Sequence, residues 1–228
     1  MYKIETHLHT SEGSKCGAAS GREQADARFA EGYSTIFVTD HFFRGNTRPD
    51  RRLPWEDYIN EFCSGYEHAK ERGDEIGLNV LFGFEDNFHG AEFLIYGIDK
   101  NWLLAHPEMI QWTPWEEYAK VHEAGGFMVQ AHPYREAPYL FGISLYPKYC
   151  DAVEVINASQ TKAMNDRAKW YAEQYHLPVT AGSDIHSVIP IGGGMLVPEE
   201  ITTTEQYIEL IRSGKQNYEL IDVNRPEW

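Results

Sequence analysis

Short apolar runs alternate with stretches of helical hydrophobic spacing along most of the sequence. The first predicted strand carries His7 and His9. Apolar runs predict further buried strands at residues 34–39, 78–84, 92–98, 127–131, 152–156 and 178–183. Helical stretches separate most of these runs. The order of strand, helix and strand is the pattern of a parallel sheet covered by helices.

Capping signals mark where several helices begin. Ser20 and Thr113 each precede a glutamate three residues later, which forms a capping box, and Pro54 suits the first position of a helix. The helix from Pro54 carries an aromatic stripe and is expected to end at Gly73. Further helices are predicted at residues 163–175 and from about 205 to 212.

The strand count and the missing phosphate loops favour a closed sheet. About seven strand-and-helix units fit a barrel better than an open doubly wound sheet, and no Gly-x-Gly-x-x-Gly or phosphate-loop motif supports the open form. The sequence therefore predicts an α/β fold of the TIM-like (β/α)7 barrel type, in one domain over residues 1–228.

Ionisable residues follow the apolar runs with a regularity that scattered structural residues would lack. His7 and His9 point to one face of the first strand because side chains alternate along a strand. In a parallel barrel the carboxyl ends of all strands open onto one face. The residues expected to meet there are His7, His9, Asp40, His41, Glu85, Asp99, His132, Asp184 and His186.

The remaining histidines are interpreted as structural or solvated. His68, His106, His122 and His176 lie on or beside helices or before a proline. His89 stays open, because it lies in the loop just after Glu85.

The donor set suggests the metals and the chemistry. Imidazole and carboxylate ligands without a pair of thiolates suit Zn²⁺, Mn²⁺ or Fe²⁺ better than Ca²⁺ or Mg²⁺. Nine candidates exceed what one tetrahedral ion needs, so we expect two to three divalent metal ions. Such a cluster neutralises the charge of a phosphate and favours phosphoester hydrolysis.

Composition restricts the partners. With 20 basic and 35 acidic residues the formal charge is -15, which disfavours non-specific binding to nucleic acid or to an anionic membrane. No apolar run has the length of a membrane span, and no signal-peptide pattern is visible.

Cys16, Cys63 and Cys150 are widely spaced and are expected to be reduced. We expect a cytoplasmic protein with a small phosphorylated substrate and without nucleic-acid or membrane partners; the sequence specifies no oligomeric state.

The order of the motifs resembles the PHP (polymerase and histidinol phosphatase) superfamily of metal-dependent phosphoesterases. The matching motifs are His7-Leu8-His9-Thr10, Thr39-Asp40-His41, Gly83-Phe84-Glu85, Ala131-His132-Pro133 and Gly182-Ser183-Asp184-Ile185-His186. The resemblance spans most of the chain. It implies a distorted seven-stranded barrel with a trinuclear metal site.

The resemblance also implies which residues share each metal. The implied ligands are His7, His9, Glu85 and Asp184 for a first ion, Glu85 and His132 for a second, and His41 and His186 for a third. Of these, Glu85, His132 and Asp184 are the candidate catalytic residues.

Three positions depart from the family pattern. Some members carry a histidine where this chain has Lys15, and some carry one where Asp99 stands. Other members carry Asp-Gly at about the place of Cys16-Gly17. Cys16 would then have to supply the remaining ligand of the third metal in place of an aspartate.

We therefore expect a phosphoric ester hydrolase similar to a histidinol phosphatase or a nucleotide phosphatase, acting through a metal-bound hydroxide. Arg135 follows His132 in a loop, and its planar guanidinium is expected to bind the substrate phosphate, with Lys15 as the second candidate. Two alternatives stay open: an amidohydrolase-type metal hydrolase and a non-catalytic metal-binding module.

Overall fold

The computed structural model describes residues 1–215 and 217–223. In these residues nine strands are β1 (Tyr2–Leu8), β2 (Tyr33–Val38), β3 (Asn79–Phe88), β4 (Ala91–Tyr96), β5 (Phe127–Ala131), β6 (Ala152–Asn157), β7 (Val179–Gly182), β8 (Met195–Val197) and β9 (Glu219–Leu220). The helices are α1 (Gly21–Ala30), α2 (Trp55–Ile76), α3 (Lys100–Ala105), α4 (Pro114–Glu123), α5 (Lys162–Tyr175) and α6 (Thr204–Arg212), with a 3₁₀ helix at Pro107–Gln111.

The strands form one sheet that curls into a nearly closed barrel. The strand order is β7-β6-β5-β4-β3-β2-β1-β8-β9. Beyond the end of β7, the Asp184 backbone N–H donates to the His7 carbonyl at 2.9 Å, and the His9 N–H donates to the Ile185 carbonyl at 2.9 Å. These two bonds join the first strand to the segment after β7. The first and the last of the sequence motifs therefore lie side by side.

The sheet is mixed, whereas the sequence predicts only parallel strands. β4 runs antiparallel to both β3 and β5. The reason is the two-residue connection His89-Gly90, whose φ angles of 54° and 101° form a tight turn. So short a connection can only make a hairpin, because a parallel crossover needs a dozen or more residues. The strict (β/α)7 repeat is therefore broken at this strand.

The helix signals locate the helix starts well but misplace one end. Ser20 and Thr113 form capping boxes as expected. Helix α2, however, continues past Gly73 to Ile76 and ends at Gly77, which has φ 83°. A Cβ at Gly73 would lie 2.6 Å from the Val80 side chain. Gly73 therefore permits close packing of α2 on β3 and does not end the helix.

Apolar side chains fill the barrel and the space under the helices. The Phe42 ring lies 4.9 Å from that of Phe62 on α2 and 5.0 Å from that of Phe84 on β3. Tyr96 on β4 contacts Phe37 on β2 at 5.1 Å. Among the described residues, no helix has the length and apolar character needed to cross a membrane.

Gly65 on α2 provides a test of how closely this helix packs on the loop after β1. A Cβ there would lie 2.1 Å from the Thr10 Oγ1, which is fixed by its hydrogen bond to Asp40. Helix propensity alone favours alanine by about 1 kcal/mol, but overpacking costs about 1–3 kcal/mol. We expect Gly65→Ala to lower the free energy of unfolding by up to about 2 kcal/mol in urea titrations.

The matched control is Gly142→Ala. A Cβ at Gly142 meets no atom within 4 Å, so its unfolding free energy should change little. A Gly65→Ala protein more stable than the wild type would contradict the close packing.

Candidate metal centre

Eight ionisable side chains converge at one end of the barrel. They form overlapping groups of three whose candidate ligand atoms lie within 4.8 Å of one another, and they are His7, His9, His41, Glu85, Glu92, His132, Asp184 and His186. Seven of these residues are predicted from the sequence; Glu92 is not. The structure thus brings together side chains from β1, β3 and β4 and from the segments just after β1, β2, β5 and β7.

The first group is centred on His7 near the end of β1 and on His9 just after it. The His7 Nε2 lies 3.1 Å from the His9 Nε2 and 3.6 Å from the Asp184 Oδ1. The His9 Nε2 lies 3.2 Å from the same Asp184 oxygen. Glu85 borders this group, with its Oε1 3.5 Å from the His7 Nε2.

The second group contains the residue that sequence reasoning missed. The His132 Nε2 lies 3.1 Å from the Glu85 Oε1 and 3.6 Å from the Glu92 Oε2. Glu92 faces this group because β4 is antiparallel, so the start of β4 lies where the parallel strands end. The signal that could have found it is the His89-Gly90 turn between two apolar runs, which is typical of a hairpin.

Asp99 lies away from the cluster for the same reason. It follows the end of the antiparallel β4, at the opposite end of the barrel, and is exposed. Its Oδ1 accepts a hydrogen bond of 2.7 Å from the Trp102 backbone N–H and caps α3. The expectation that Asp99 is a metal ligand is therefore corrected.

The third group contains three stacked imidazoles. The His9 ring centroid lies 4.3 Å from those of His41 and His186. Cys16 is exposed beside them. Partial desolvation acts to raise the pKa of its thiol, but hydrogen bonds from His186 and His41 lower that pKa to about 6. The thiolate form is accordingly favoured near two candidate ligands of a third ion.

Asp40 is buried but turned away from the ligand groups. Its Oδ1 accepts from the Thr10 backbone N–H and the Ser14 hydroxyl, and its Oδ2 accepts from the Thr10 hydroxyl, each at 2.6 Å. The Ser14 oxygen lies 3.2 Å from the His9 Nδ1. The predicted role of Asp40 as a ligand is thus corrected: it fixes the loop after β1 and orients His9 through Ser14.

The two predicted phosphate-binding residues differ in position. Lys15 is exposed on the loop after β1. Arg135 is partly buried, with its Nη1 3.0 Å from the Glu92 Oε2 and its Nη2 donating to the Tyr139 hydroxyl at 2.9 Å. Arg135 shares a cavity of about 540 Å³ with Cys16, His41 and His186. Arg135 therefore lies at the cluster, and Lys15 lines no part of this cavity.

Three buried polar atoms at the centre make ion-pair contacts without meeting hydrogen-bond geometry among the described residues. They are the His41 Nδ1 and the Glu85 Oε2, which lie 2.6 Å apart, and the Glu92 Oε2, which lies 3.0 Å from the Arg135 Nη1. These atoms belong to residues that form one of the ligand groups. Imidazole nitrogen and carboxylate oxygen atoms that converge in this way fit a divalent cation of the zinc, manganese or iron type.

Charge within the cluster is balanced between carboxylates and imidazoles. Burial acts to raise the pKa of Glu85, but His41, His7 and His132 hold it well below its usual value. Burial acts to lower the pKa of His7, yet Glu154, Asp184 and Glu85 raise it well above its usual value. Glu85 thus stays ionised and needs positive charge nearby, which protons or metal ions can supply.

Two of the predicted ligands have a strained backbone. His132 has φ 24° and Asp184 has φ 54°, both in the left-handed region that non-glycine residues rarely adopt. Such strain costs about 1–3 kcal/mol per residue and concentrates at functional sites. Here it turns both side chains toward the shared centre.

Comparison with known proteins agrees with this geometry. Residues 162–216 match a family model described as PHP-associated. A two-domain protein from Bacteroides vulgatus that contains a predicted PHP-like metal-dependent phosphoesterase has the same fold, with a TM-score of 0.66 at 15% identity over 97% of this chain and 64% of that one. The family match is confined to residues 162–216, and at this identity the structural likeness shows a shared fold.

Further solved structures share this fold. A protein from Bifidobacterium adolescentis assigned as a metal-dependent phosphoesterase matches with a TM-score of 0.61 and 16% identity over 93% of this chain and 96% of that one. The lesion-specific endonuclease Q of Pyrococcus furiosus matches with a TM-score of 0.61 and 13% identity over 96% of this chain and 57% of that one. No curated protein matches the sequence.

These structural neighbours correct the expected partners. Endonuclease Q has also been solved with a 27-mer duplex that carries an abasic lesion at its active site. The same fold accommodates nucleic acid in that enzyme, and the expectation that net charge makes a nucleic-acid partner unlikely is wrong. This chain spans 64% of the length of the Bacteroides protein and 57% of endonuclease Q.

Cys16 provides a test of the third group of candidate ligands. If its thiolate completes a site with His41 and His186, Cys16→Ser should lower the metal content by about one ion per chain, because the ligand is lost. Metal content after loading with Zn²⁺ or Fe²⁺ is measured by elemental analysis. Lys15→Ser, at the exposed neighbour, is the control. A full metal complement in the Cys16→Ser protein would exclude the ligand role.

Proposed function

We propose that the chain is a metal-dependent phosphoric ester hydrolase. The observation that carries this proposal is the convergence of the candidate ligands His41, Glu85 and Glu92 beside a cavity that is lined by His41, Glu92 and Arg135. Metal ligands and a guanidinium beside one cavity are two features that favour phosphate-ester hydrolysis.

We assign the candidate ligands to as many as three ions. They are His7, His9, Glu85 and Asp184 for one ion, Glu85, Glu92 and His132 for a second, and His41 and His186, with the neighbouring Cys16, for a third. Bound divalent ions supply Lewis-acid activation of water and neutralise charge on the phosphate.

The protein's own groups bind and orient the phosphate. Arg135 is held by Glu92 and Tyr139, and its buried Nε has no hydrogen-bond partner among the described residues. The guanidinium therefore keeps a donor for a phosphate oxygen. Arg44 also lines the cavity, but it is engaged by Asp86 at 2.5 Å and by Glu117. Arg135 is thus the better placed of the two to bind substrate.

The proposal covers more than one kind of phosphate ester. Small metabolites such as histidinol phosphate or nucleotides and the phosphodiesters of nucleic acid all present a phosphate group to the same residues. Activity assays should therefore include phosphomonoesters, bis(p-nitrophenyl) phosphate and a DNA duplex with an abasic site, each with Mn²⁺, Zn²⁺ and Fe²⁺ in turn. Failure to hydrolyse any ester with any metal would overturn the proposal.

Asp184 tests the metal centre. It contacts His7 and His9 and contributes little apolar burial, so Asp184→Ala should abolish hydrolysis, by more than about 1000-fold in kcat/KM, while the fold remains. Turnover, metal content and circular dichroism are measured on the same preparation. Asp99→Ala is the control, since Asp99 is exposed at the other end of the barrel. Wild-type turnover with full metal content in the Asp184→Ala protein would refute the site.

Arg135 tests the phosphate subsite. Charged hydrogen bonds contribute about 1.5–3 kcal/mol, so Arg135→Ala should raise KM about 10- to 100-fold without loss of metal. The control is Arg167→Ala, because Arg167 is exposed and pairs with Glu136 on the surface. If the Arg135→Ala protein hydrolysed every ester with wild-type kinetics, phosphate binding by Arg135 would be excluded.

A further inference from the structure

Glu154 on β6 is a buried carboxylate that contacts two candidate metal ligands without joining the ligand groups. Its Oε1 accepts a hydrogen bond of 2.9 Å from the His7 Nδ1. Its Oε2 accepts 3.1 Å from the His132 backbone N–H and 3.0 Å from the Asn157 Nδ2. The side chain is completely buried. One carboxylate therefore connects β1, β5 and β6 directly beneath the metal centre.

The contact with His7 determines which ring nitrogen faces the centre. The His7 Nε2 is the atom near His9, Glu85 and Asp184. When a neutral imidazole donates its Nδ1–H to a carboxylate, the lone pair lies on Nε2. Glu154 therefore selects the tautomer in which Nε2 can bind a cation, and it also fixes the orientation of the ring.

The contact with His132 stabilises an uncommon backbone conformation. His132 has φ 24°, which persists only where surrounding contacts hold it. Its N–H donates to the same carboxylate that orients His7. The Asn157 amide donates to that oxygen as well, and the Asn157 backbone N–H donates to Asn165 at 3.1 Å, so the carboxylate is itself held in place.

The adjacent strand leaves room for this arrangement. A Cβ at Gly182 on β7 would lie 2.6 Å from the Glu154 Oε1 and 2.5 Å from the His7 Cβ. Only glycine allows the Glu154 and His7 side chains to meet beneath β7. The sequence motif Gly182-Ser183-Asp184 thus contributes space for this pair as well as a ligand.

We propose that Glu154 is a positioning residue that couples the first and second metal positions, by fixing the tautomer of His7 and the backbone of His132 together. The inference rests on the proposed function only in assuming that these histidines bind metal. It adds a residue, a mechanism and a link between two sites.

The experiment compares Glu154→Gln with the wild type in metal binding. A glutamine has one acceptor oxygen, so its NH₂ must face either His7 or the donors of His132 and Asn157. Binding of Zn²⁺ and Mn²⁺ to chelator-treated protein, measured by calorimetry, should weaken about 10- to 100-fold. In the zinc-loaded protein, the His7 Nδ1–H resonance should lose the downfield shift given by a carboxylate acceptor.

Asp151→Asn is the matched control. The Asp151 carboxylate also accepts from a histidine ring, His122 at 2.8 Å, and from a backbone N–H of β5, that of Met128 at 2.8 Å, but at the far end of β5. Its loss should leave metal affinity unchanged. Equal weakening in both variants would mean a general loss of stability and would overturn the proposal.

A second variant separates position from charge. Glu154→Asp keeps the negative charge but is one methylene shorter, so it cannot reach both His7 and His132, and metal affinity should fall as in Glu154→Gln. This variant also decides the matter if the glutamine protein does not fold. Wild-type affinity in the aspartate variant would overturn the positioning role. Failure of the wild type itself to bind metal would instead overturn the proposed function.

Discussion

Three carboxylates and five imidazoles share a largely buried volume at one end of the barrel, and this concentration of charge is the constraint on which the site depends. Removing an ion from water costs several kcal/mol unless opposite charge compensates it. Glu85 obtains that compensation from His41, His7 and His132, which hold its pKa well below its usual value despite burial. Because Glu85 lies between groups, its ionised oxygens can serve more than one cation.

Much of the fold follows from local signals in the sequence. The capping boxes at Ser20 and Thr113 and the apolar runs place most helices and strands correctly. The antiparallel β4 was missed because its run of apolar residues is the same in either direction, and only the His89-Gly90 turn distinguishes a hairpin from a crossover. Because this turn makes β4 antiparallel, Glu92 lies in the site and Asp99 lies at the opposite end of the barrel.

The residues that hold the candidate ligands in place could not be predicted from the sequence, for a different reason. Ligands follow strand ends and can be read from position, whereas Glu154 lies within a strand and Glu5 within another. Glu5 accepts from the backbone N–H groups of His7 and Ser183, each at 2.9 Å, and so ties β1 to the end of β7. Glu5 and Glu154 have these roles because strands that are far apart in the sequence lie side by side in the sheet. The residue pattern along one strand does not show which strand will be its neighbour.

The error about partners has a physical cause that bears on substrate choice. A net charge of -15 describes the whole surface, whereas a phosphate in the cavity responds to charges within about one Debye length, which is about 8 Å at physiological ionic strength. Within that range Arg135, together with the divalent cations that the ligand groups would hold, would offset Glu85, Glu92 and Asp184. The sign of the local field would therefore depend on metal loading. A phosphodiester in nucleic acid and the phosphate of a small metabolite experience the same local electrostatic field. The shape of the cavity rim therefore has to discriminate between these two kinds of substrate.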